Sequence, residues 1–358
     1  MDDVERAWRL IEEADELPEG LAKTSICREA VRFADLSSDK NVQFASRLQF
    51  VESAFYSGEV DEMFVAVSWC ISAFDNEPDR WDPSCVVRAI DKALACVTDF
   101  PNISRTQIEQ LMDDSEKRYR VTGKTIGDHW LERCRIAFLM GDYDLAKEQY
   151  KKLEKDKPDW SEEGLSLFRS DYYMHLNEHE KAYEHAKLLL ADQQSYFYRW
   201  IAPMILNSLV ALGKLEEAQI CHEVGYPAAR DNPKYFSMVG KHLAYLAGTG
   251  QLDAALKIFE RHIQIEHTIP SMEKIMNFSM GASLLFEGLN KSGVETLKLN
   301  IPESSDAYSK SESYSTKALG EHFHKRGFEL ASKFDQRNGN KAVTERMQFL
   351  ISIANPKQ

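Results

Sequence analysis

Residues 130–158 read WLERCRIAFLMGDYDLAKEQYKKLEKDKP, and this stretch decides the fold class. Before Gly141-Asp142-Tyr143, the side chains Trp130, Cys134, Ala137 and Phe138 recur at steps of three and four. After it Ala146, Tyr150 and Leu153 do the same, and Pro158 ends the run. Such steps keep side chains on one face of an α-helix. A glycine-led turn between two such runs therefore predicts an antiparallel helical hairpin.

The same unit returns downstream. Turns at Gly141-Asp142-Tyr143, Asn177-Glu178-His179, Gly213-Lys214-Leu215 and Gly250-Gln251-Leu252 follow one another at 36, 36 and 37 residues. Five residues after each turn begins stands an alanine: Ala146, Ala182, Ala218 and Ala255. A small residue there lets the second helix pack close against the first. Nine residues after the turn come Tyr150, Ala186, His222 and Phe259, a bulky wedge in two repeats and an altered one in the others. Self-similarity at a fixed period is the mark of stacked repeats.

Working outward, the N-terminal part offers three further hairpins. Runs 3–17 and 20–35 flank Pro18-Glu19-Gly20, with inner faces marked by Trp8, Ile11 and Ala14 and by Ile26, Ala30 and Val31. Runs 42–57 and 60–75 flank Ser57-Gly58, and runs 83–98 and 104–120 flank Phe100-Pro101-Asn102. Beyond residue 270 the period frays. A long helix over 270–291 precedes a strand-like alternation over 294–301 and a polar loop over 304–310. Two final helices, at about 312–336 and 338–354, turn at Asn338-Gly339-Asn340. This last segment reads as a cap that shields the open end of a stack. The expected fold class is all-α, an α-solenoid of stacked antiparallel hairpins with about 17 helices. Its parts are N-terminal hairpins over 1–122, clear repeats over 123–269 and a capping segment over 270–358.

Composition narrows the function classes. A hydrophobic content of 43% excludes wholesale disorder. A net charge of −13, with both signs mixed along the chain, argues against nucleic acid or an anionic membrane as the main partner. No apolar run approaches the roughly 20 residues that span a bilayer. The opening MDDVERAWRLIEEADE is acidic and amphipathic, unlike a secretory signal or a transit peptide. The six cysteines (27, 70, 85, 96, 134 and 221) form no C-x-x-C pair and read as buried, reduced thiols. The expected compartment is the cytoplasm.

The candidates for chemistry fail on geometry. His175-Leu176-Asn177-Glu178-His179 fits the inverted zinc-protease pattern H-x-x-E-H. That chemistry needs both histidines on one continuous helix, and these five residues straddle an inter-helix turn. Thr122-Gly123-Lys124-Thr125 has the end of a phosphate-binding loop, but Arg118 stands where the upstream glycine belongs. His322 and His324 point to different sides of a helix, and Cys85 and Cys96 lie three turns apart. The adjacent carboxylates Glu12-Glu13 and Asp113-Asp114 diverge at a solvated surface. Helix 105–120 carries Lys117, Arg118 and Arg120, yet Glu109, Asp113, Asp114 and Glu116 share it, so it presents no basic face for phosphates. No catalytic residue, metal ligand or cofactor is expected.

The unit resembles the tetratricopeptide repeat (TPR), on Trp130, Gly141, Tyr143, Ala146, Tyr150 and Pro158, and the likeness is clearest over about 127–267. Leu206 and Leu243 depart from it, standing where a small residue of the first helix is usual; Cys134 and Ser170 fill that slot elsewhere. The resemblance implies a right-handed superhelix whose first helices line a concave groove that receives a peptide or a partner's helix. Carried onto this chain, the groove positions are Leu131, Arg135 and Phe138; Leu167, Asp171 and Met174; Trp200, Pro203 and Asn207; and Gly240, Ala244 and Ala247. The small residues of the last set would leave a hollow. Arg135, Asp171 and Asn207 fall on equivalent turns and suit a peptide backbone or terminal group, or hydrogen bonds within the stack. Four aromatics in Tyr196-Phe197-Tyr198-Arg199-Trp200 cannot all face one core, which makes Tyr198 and Trp200 anchor candidates. Pro203 and Ala211 replace the lysines of the subclass that clamps a peptide's C-terminal carboxylate. The expected function is a non-enzymatic scaffold for another protein or a peptide. Alternatives are a peptide-sensing regulator of the bacterial Rap type, with 1–120 as effector module, and an enzyme hidden in 290–358.

Overall fold

The computed structural model of the protein describes residues 2–123, 125–231 and 235–354. It is all-α, with seventeen α-helices and one two-stranded ribbon among the described residues. The chain forms two compact units. One holds the chain up to Thr98, Arg105–Glu132 and Lys155–Pro158; the other holds Asp99–Ser104, Arg133–Glu154 and the chain from Asp159 onward. The chain from Asp159 through the C-terminal segment thus lies in one unit, while 123–132 and 155–158 of the clear repeats belong to the other.

The first unit contains α1 (Asp3–Asp15), α2 (Leu21–Leu36), α3 (Lys40–Ser57), α4 (Val60–Asn76), α5 (Pro83–Cys96) and α6 (Arg105–Tyr119), each packed on the next. Local chemistry sets their starts. Asp2, Asp39 and Asp82 accept backbone N–H groups of the first turns, and Pro83 occupies the opening position of α5, where its missing N–H costs nothing. Apolar side chains such as Ala7, Phe33, Ala34 and Val42 meet between α1, α2 and α3. Inside, Thr24 Oγ1 donates to Ser57 Oγ at 3.0 Å, which satisfies two buried hydroxyls together. The helix α7 (Ile126–Leu139) opens in this unit, where Trp130 Nε1 donates to Asp156 Oδ2 at 3.2 Å. Of the glycine-lysine motif, Lys124 lies outside the described residues, and Thr125 Oγ1 donates to the Lys157 carbonyl.

The second unit contains the rest of α7, then α8 (Tyr143–Lys155), α9 (Glu162–His175), α10 (His179–Leu190), α11 (Tyr198–Ala211), α12 (Leu215–Ala229), α13 (Phe236–Gly248) and α14 (Leu252–Ile263). The four expected turns close identically. Gly141, Asn177, Gly213 and Gly250 adopt φ of 77°, 57°, 70° and 77°. The next residue's N–H bonds the carbonyl five back in each: Asp142 to Ala137, Glu178 to Tyr173, Lys214 to Leu209 and Gln251 to Leu246, at 2.8–2.9 Å. That is the Schellman closure, which satisfies the last carbonyls of each first helix. Asn177 takes the left-handed position as the non-glycine residue best suited to it.

Packing explains the alanines. Ala146, Ala182, Ala218 and Ala255 are all fully buried. Facing them, Cys134 Sγ donates to the Ala146 carbonyl at 3.2 Å and Ser170 Oγ to the Ala182 carbonyl at 2.9 Å. In the next two hairpins Leu206 and Leu243 occupy that slot, fully buried, and join the apolar core that runs from Ala182 to Phe323.

The C-terminal segment departs from the repeat, as the sequence predicts. After α15 (Met272–Lys291), Gly293 closes another Schellman turn at φ 89°, with Val294 N–H on the Leu289 carbonyl. A strand comes next instead of a second helix. The strand-like alternation becomes β1 (Thr296–Lys298), paired antiparallel with β2 (Ser313–Ser315), a pairing that the local pattern does not announce. Then α16 (Thr316–Asn338) packs along α15, with Phe323 wedged against Phe259 and Phe286. The chain turns at Gly339 into α17 (Ala342–Ala354). Among the described residues no helix is long and apolar enough to cross a membrane.

Candidate functional site

The first helices of successive hairpins lie side by side in the second unit. Phe138, in the part of α7 from Arg133, meets Phe168 and Tyr172 of α9, α9 packs on α11, α11 on α13 and α13 on α15. The closest approach is between α13 and α15. A Cβ at Gly240 would lie 2.6 Å from the backbone of Asn277, so glycine is required there.

A row of charge lies on this first-helix face. Asp171 of α9 is half-buried, and His175, one turn on, sits 3.4 Å from its Oδ1 and bonds its carbonyl at 2.9 Å. Burial pushes the Asp171 carboxyl up, but His175, Lys241 of α13 and Arg135 of α7 together hold it below the ordinary aspartate value. Asp99, in the segment that belongs to this unit, accepts from Ser271 Oγ at 2.9 Å. Burial first, and the neighbouring Glu273 second, raise its carboxyl to about 7, against the pull of Lys274 and Arg135. Burial lowers the Arg337 guanidinium to about 10 despite the nearby Asp99. On α15, Glu273 accepts from Ser237 Oγ of α13 at 3.1 Å, while Asn277 Nδ2 bonds both Ser237 Oγ and Glu273. The face therefore offers both signs of charge and fixed polar groups on four first helices.

The expected groove residues divide. Arg135, Asp171 and Asn207 are half-buried along this face, and Arg135 and Asp171 do meet electrostatically. Leu167 and Met174 are half-buried against the core. Leu131, Phe138, Tyr198 and Ala244, expected to be open to a partner, are instead buried at 0%, 0%, 2% and 3% exposure. Phe138 is enclosed by Phe168, Tyr172 and His175. Pro203 is buried within α11, and Gly240 meets α15. Of the aromatic run, Tyr198 turns into the core, Tyr196 is exposed, and half-buried Trp200 packs edge-on against Tyr235 with ring centres 4.8 Å apart.

The hollow at Ala244 and Ala247 is filled. Val343, Met347 and Leu350 of α17 join Ala244 and Ala247 in one apolar cluster, together with Met276, Met280 and Leu284 of α15. Around the start of α17, Arg346 Nη2 donates to the Leu139 carbonyl at 3.1 Å, and Asn340 Nδ2, in the turn before the helix, donates to the Met140 carbonyl at 2.8 Å. Phe349 stacks on His179 at 5.1 Å. The C-terminal segment was expected to shield the open end of the stack. Its last helix lies on the first-helix face, against α11, α13 and α15.

Sequence reasoning missed Asp99, Lys241, Glu273, Lys274 and Arg337. The repeat register extends past 267 to place Ser237 and Glu273 in line with Trp200, at steps of 37 and 36, so this signal was present. Asp99 and Arg337 arrive from distant segments and carried no local mark. Of the zinc-like motif, His175 ends α9 and His179 opens α10, where its Nδ1 faces Ser208 Oγ at 3.0 Å. His322 pairs with Asp306 while His324 stacks on Phe328. Among the described residues no group of three His, Cys, Asp or Glu is placed to hold a metal ion. The chain matches no protein-family model and no curated protein.

Proposed function

We propose that this chain is a TPR-like, non-enzymatic scaffold that holds another protein or a peptide on its first-helix face. The supporting observation is the charged row of Arg135, Asp171, Lys241 and Glu273 on four first helices, with Asp171 in electrostatic reach of both cations. A peptide backbone and its termini offer both signs of charge and many donors and acceptors. A row of fixed, partly desolvated ions answers these groups better than it answers an apolar ligand.

The test is capture from native lysate by the wild type and by an Arg135→Ala/Lys241→Ala variant, read by mass spectrometry. A partner held by wild type and lost by a still-folded variant supports the reading. Partners held equally by both remove the row from the binding site. The peptide-sensing regulator is the second reading, favoured by α17, a separate helix docked on the same face.

A further inference from the structure

We infer that α17 is a self-docked ligand: its seat on the first-helix face is a binding site for an amphipathic helix of α17's own chemistry, and an external helix enters by displacing it. The inference deepens the scaffold reading and rests on it for the external partner, though not for the docking itself.

The seat has three parts. The carbonyl end of α7 presents the Leu139 and Met140 oxygens, which lie past the reach of intrahelical donors. Arg346 and Asn340 supply those donors from α17, and a cation at a helix C-terminus is also favoured by the helix dipole. The apolar cluster of Ala244, Ala247, Met276, Met280 and Leu284 takes in Val343, Met347 and Leu350, which recur at i, i+4 and i+7, the anchor spacing of a helix laid in a groove. Glycines let the backbone come close at both ends. A Cβ at Gly141 would fall 2.2 Å from Ala342 Cβ, and one at Gly248 would fall 3.0 Å from Ala354. The equivalent turn glycines Gly213 and Gly250 have nothing within 4 Å, so coverage is specific to the turn that α17 reaches.

The helix is also built to leave. It joins α16 through Gly339, at φ 74°, and Asn340. Asp335 of α16 caps it at the Val343 and Thr344 N–H groups, so its first turn stays formed independently of the seat. It fully buries only Ala342, Val343, Met347 and Leu350, and two of these are small. The outer positions Lys341, Glu345 and Gln348 are exposed and polar. A competing helix therefore needs a basic residue at the carbonyl end and three apolar anchors behind it.

The experiment uses the full chain. Hydrogen exchange on the wild type compares α17 with α11 and α13, and a fluorescent peptide of residues 340–354 is titrated against wild type and an Arg346→Ala/Phe349→Ala variant. The expected results are α17 amides exchanging at least tenfold faster than those of α11 and α13, and peptide binding at least tenfold tighter to the variant than to wild type. Exchange of α17 in step with α11 and α13 overturns the inference, whatever the variant's folding. A variant with unchanged circular dichroism that binds no peptide overturns it as well. Peptide binding with a lysate partner indifferent to Arg135→Ala/Lys241→Ala keeps this inference and removes the charged row from the partner's site.

Discussion

The hairpins between residues 133 and 263 and the segment from Met272 to Ala354 use the same turn and build different things. Gly250 and Gly293 close their helices with the same left-handed residue and the same five-residue bond. After Gly250 comes α14, whose Ala255 and Phe259 pack back at once. After Gly293 come a strand, a loop and a long helix that covers the exposed side of α15. A local stop signal therefore ends a helix without choosing the element after it. That element depends on whether another hairpin remains to cover the last apolar face, and here α16 and α17 cover it from two sides.

The largest test asks whether both regions share one core. Phe259→Ala in the repeats and Phe323→Ala in the C-terminal segment each remove a fully buried ring, and each is expected to cost about 3–5 kcal/mol in urea unfolding. Equal losses in a single transition confirm a common core; a separate early transition for Phe323→Ala would split the regions. Next, Gly240→Val forces α13 off the Asn277 backbone and is expected to cost about 3 kcal/mol.

Acid sharpens the contrast, because buried histidines gather in the repeats. His222 Nδ1 lies 3.1 Å from His242 Nδ1, and the two ring nitrogens of His262 face the Ile258 and Arg230 carbonyls, of which the neutral ring donates to one. Burial holds all three below the ordinary value, most strongly at His242, where His222, Lys241 and His262 add repulsion. Folded pKa values below the unfolded ones mean that the unfolded chain binds more protons in acid. The histidine contribution to stability is thus full above about pH 6.5 and falls as pH drops toward the folded values, by at most about 1.4 kcal/mol per pH unit for each histidine. Asp99, raised to about 7, takes up a proton in the folded state over the same window and offsets the fall of one histidine. Urea midpoints at pH 7.5, 6.5 and 5.5 check this, and His242→Gln is expected to flatten the slope. Among turns, Asn177→Ala is expected to cost about 1 kcal/mol, since alanine tolerates the left-handed region poorly. The smallest effect belongs to Leu215→Ser, a 52% exposed position, within about 0.5 kcal/mol.

The repeat from Ile126 to Ile263 was legible because each hairpin is decided by contacts close in sequence. Turn glycine, buried alanine and apolar spacing all fall within one period, and the structure returns them in the same order. Of the expected groove positions, Arg135, Asp171 and Asn207 are half-buried, whereas Leu131, Phe138, Tyr198 and Ala244 are buried. A difference of one position around a helix, about 100°, separates a groove residue from a packing residue, and periodicity does not resolve it.

The sequence by itself determined the all-helical class, the hairpin period and the helix break between His175 and His179, since these depend on local geometry. Tertiary structure alone decided that Asp99 and Arg337 join the charged row and that Phe323 replaces the wedge of a missing helix. It also decided that α17 lies on the first-helix face. Each of these pairs residues far apart in the chain, and the physical reason is common to them. Burial of leftover apolar surface selects whichever segment reaches it, and sequence spacing records no such distance.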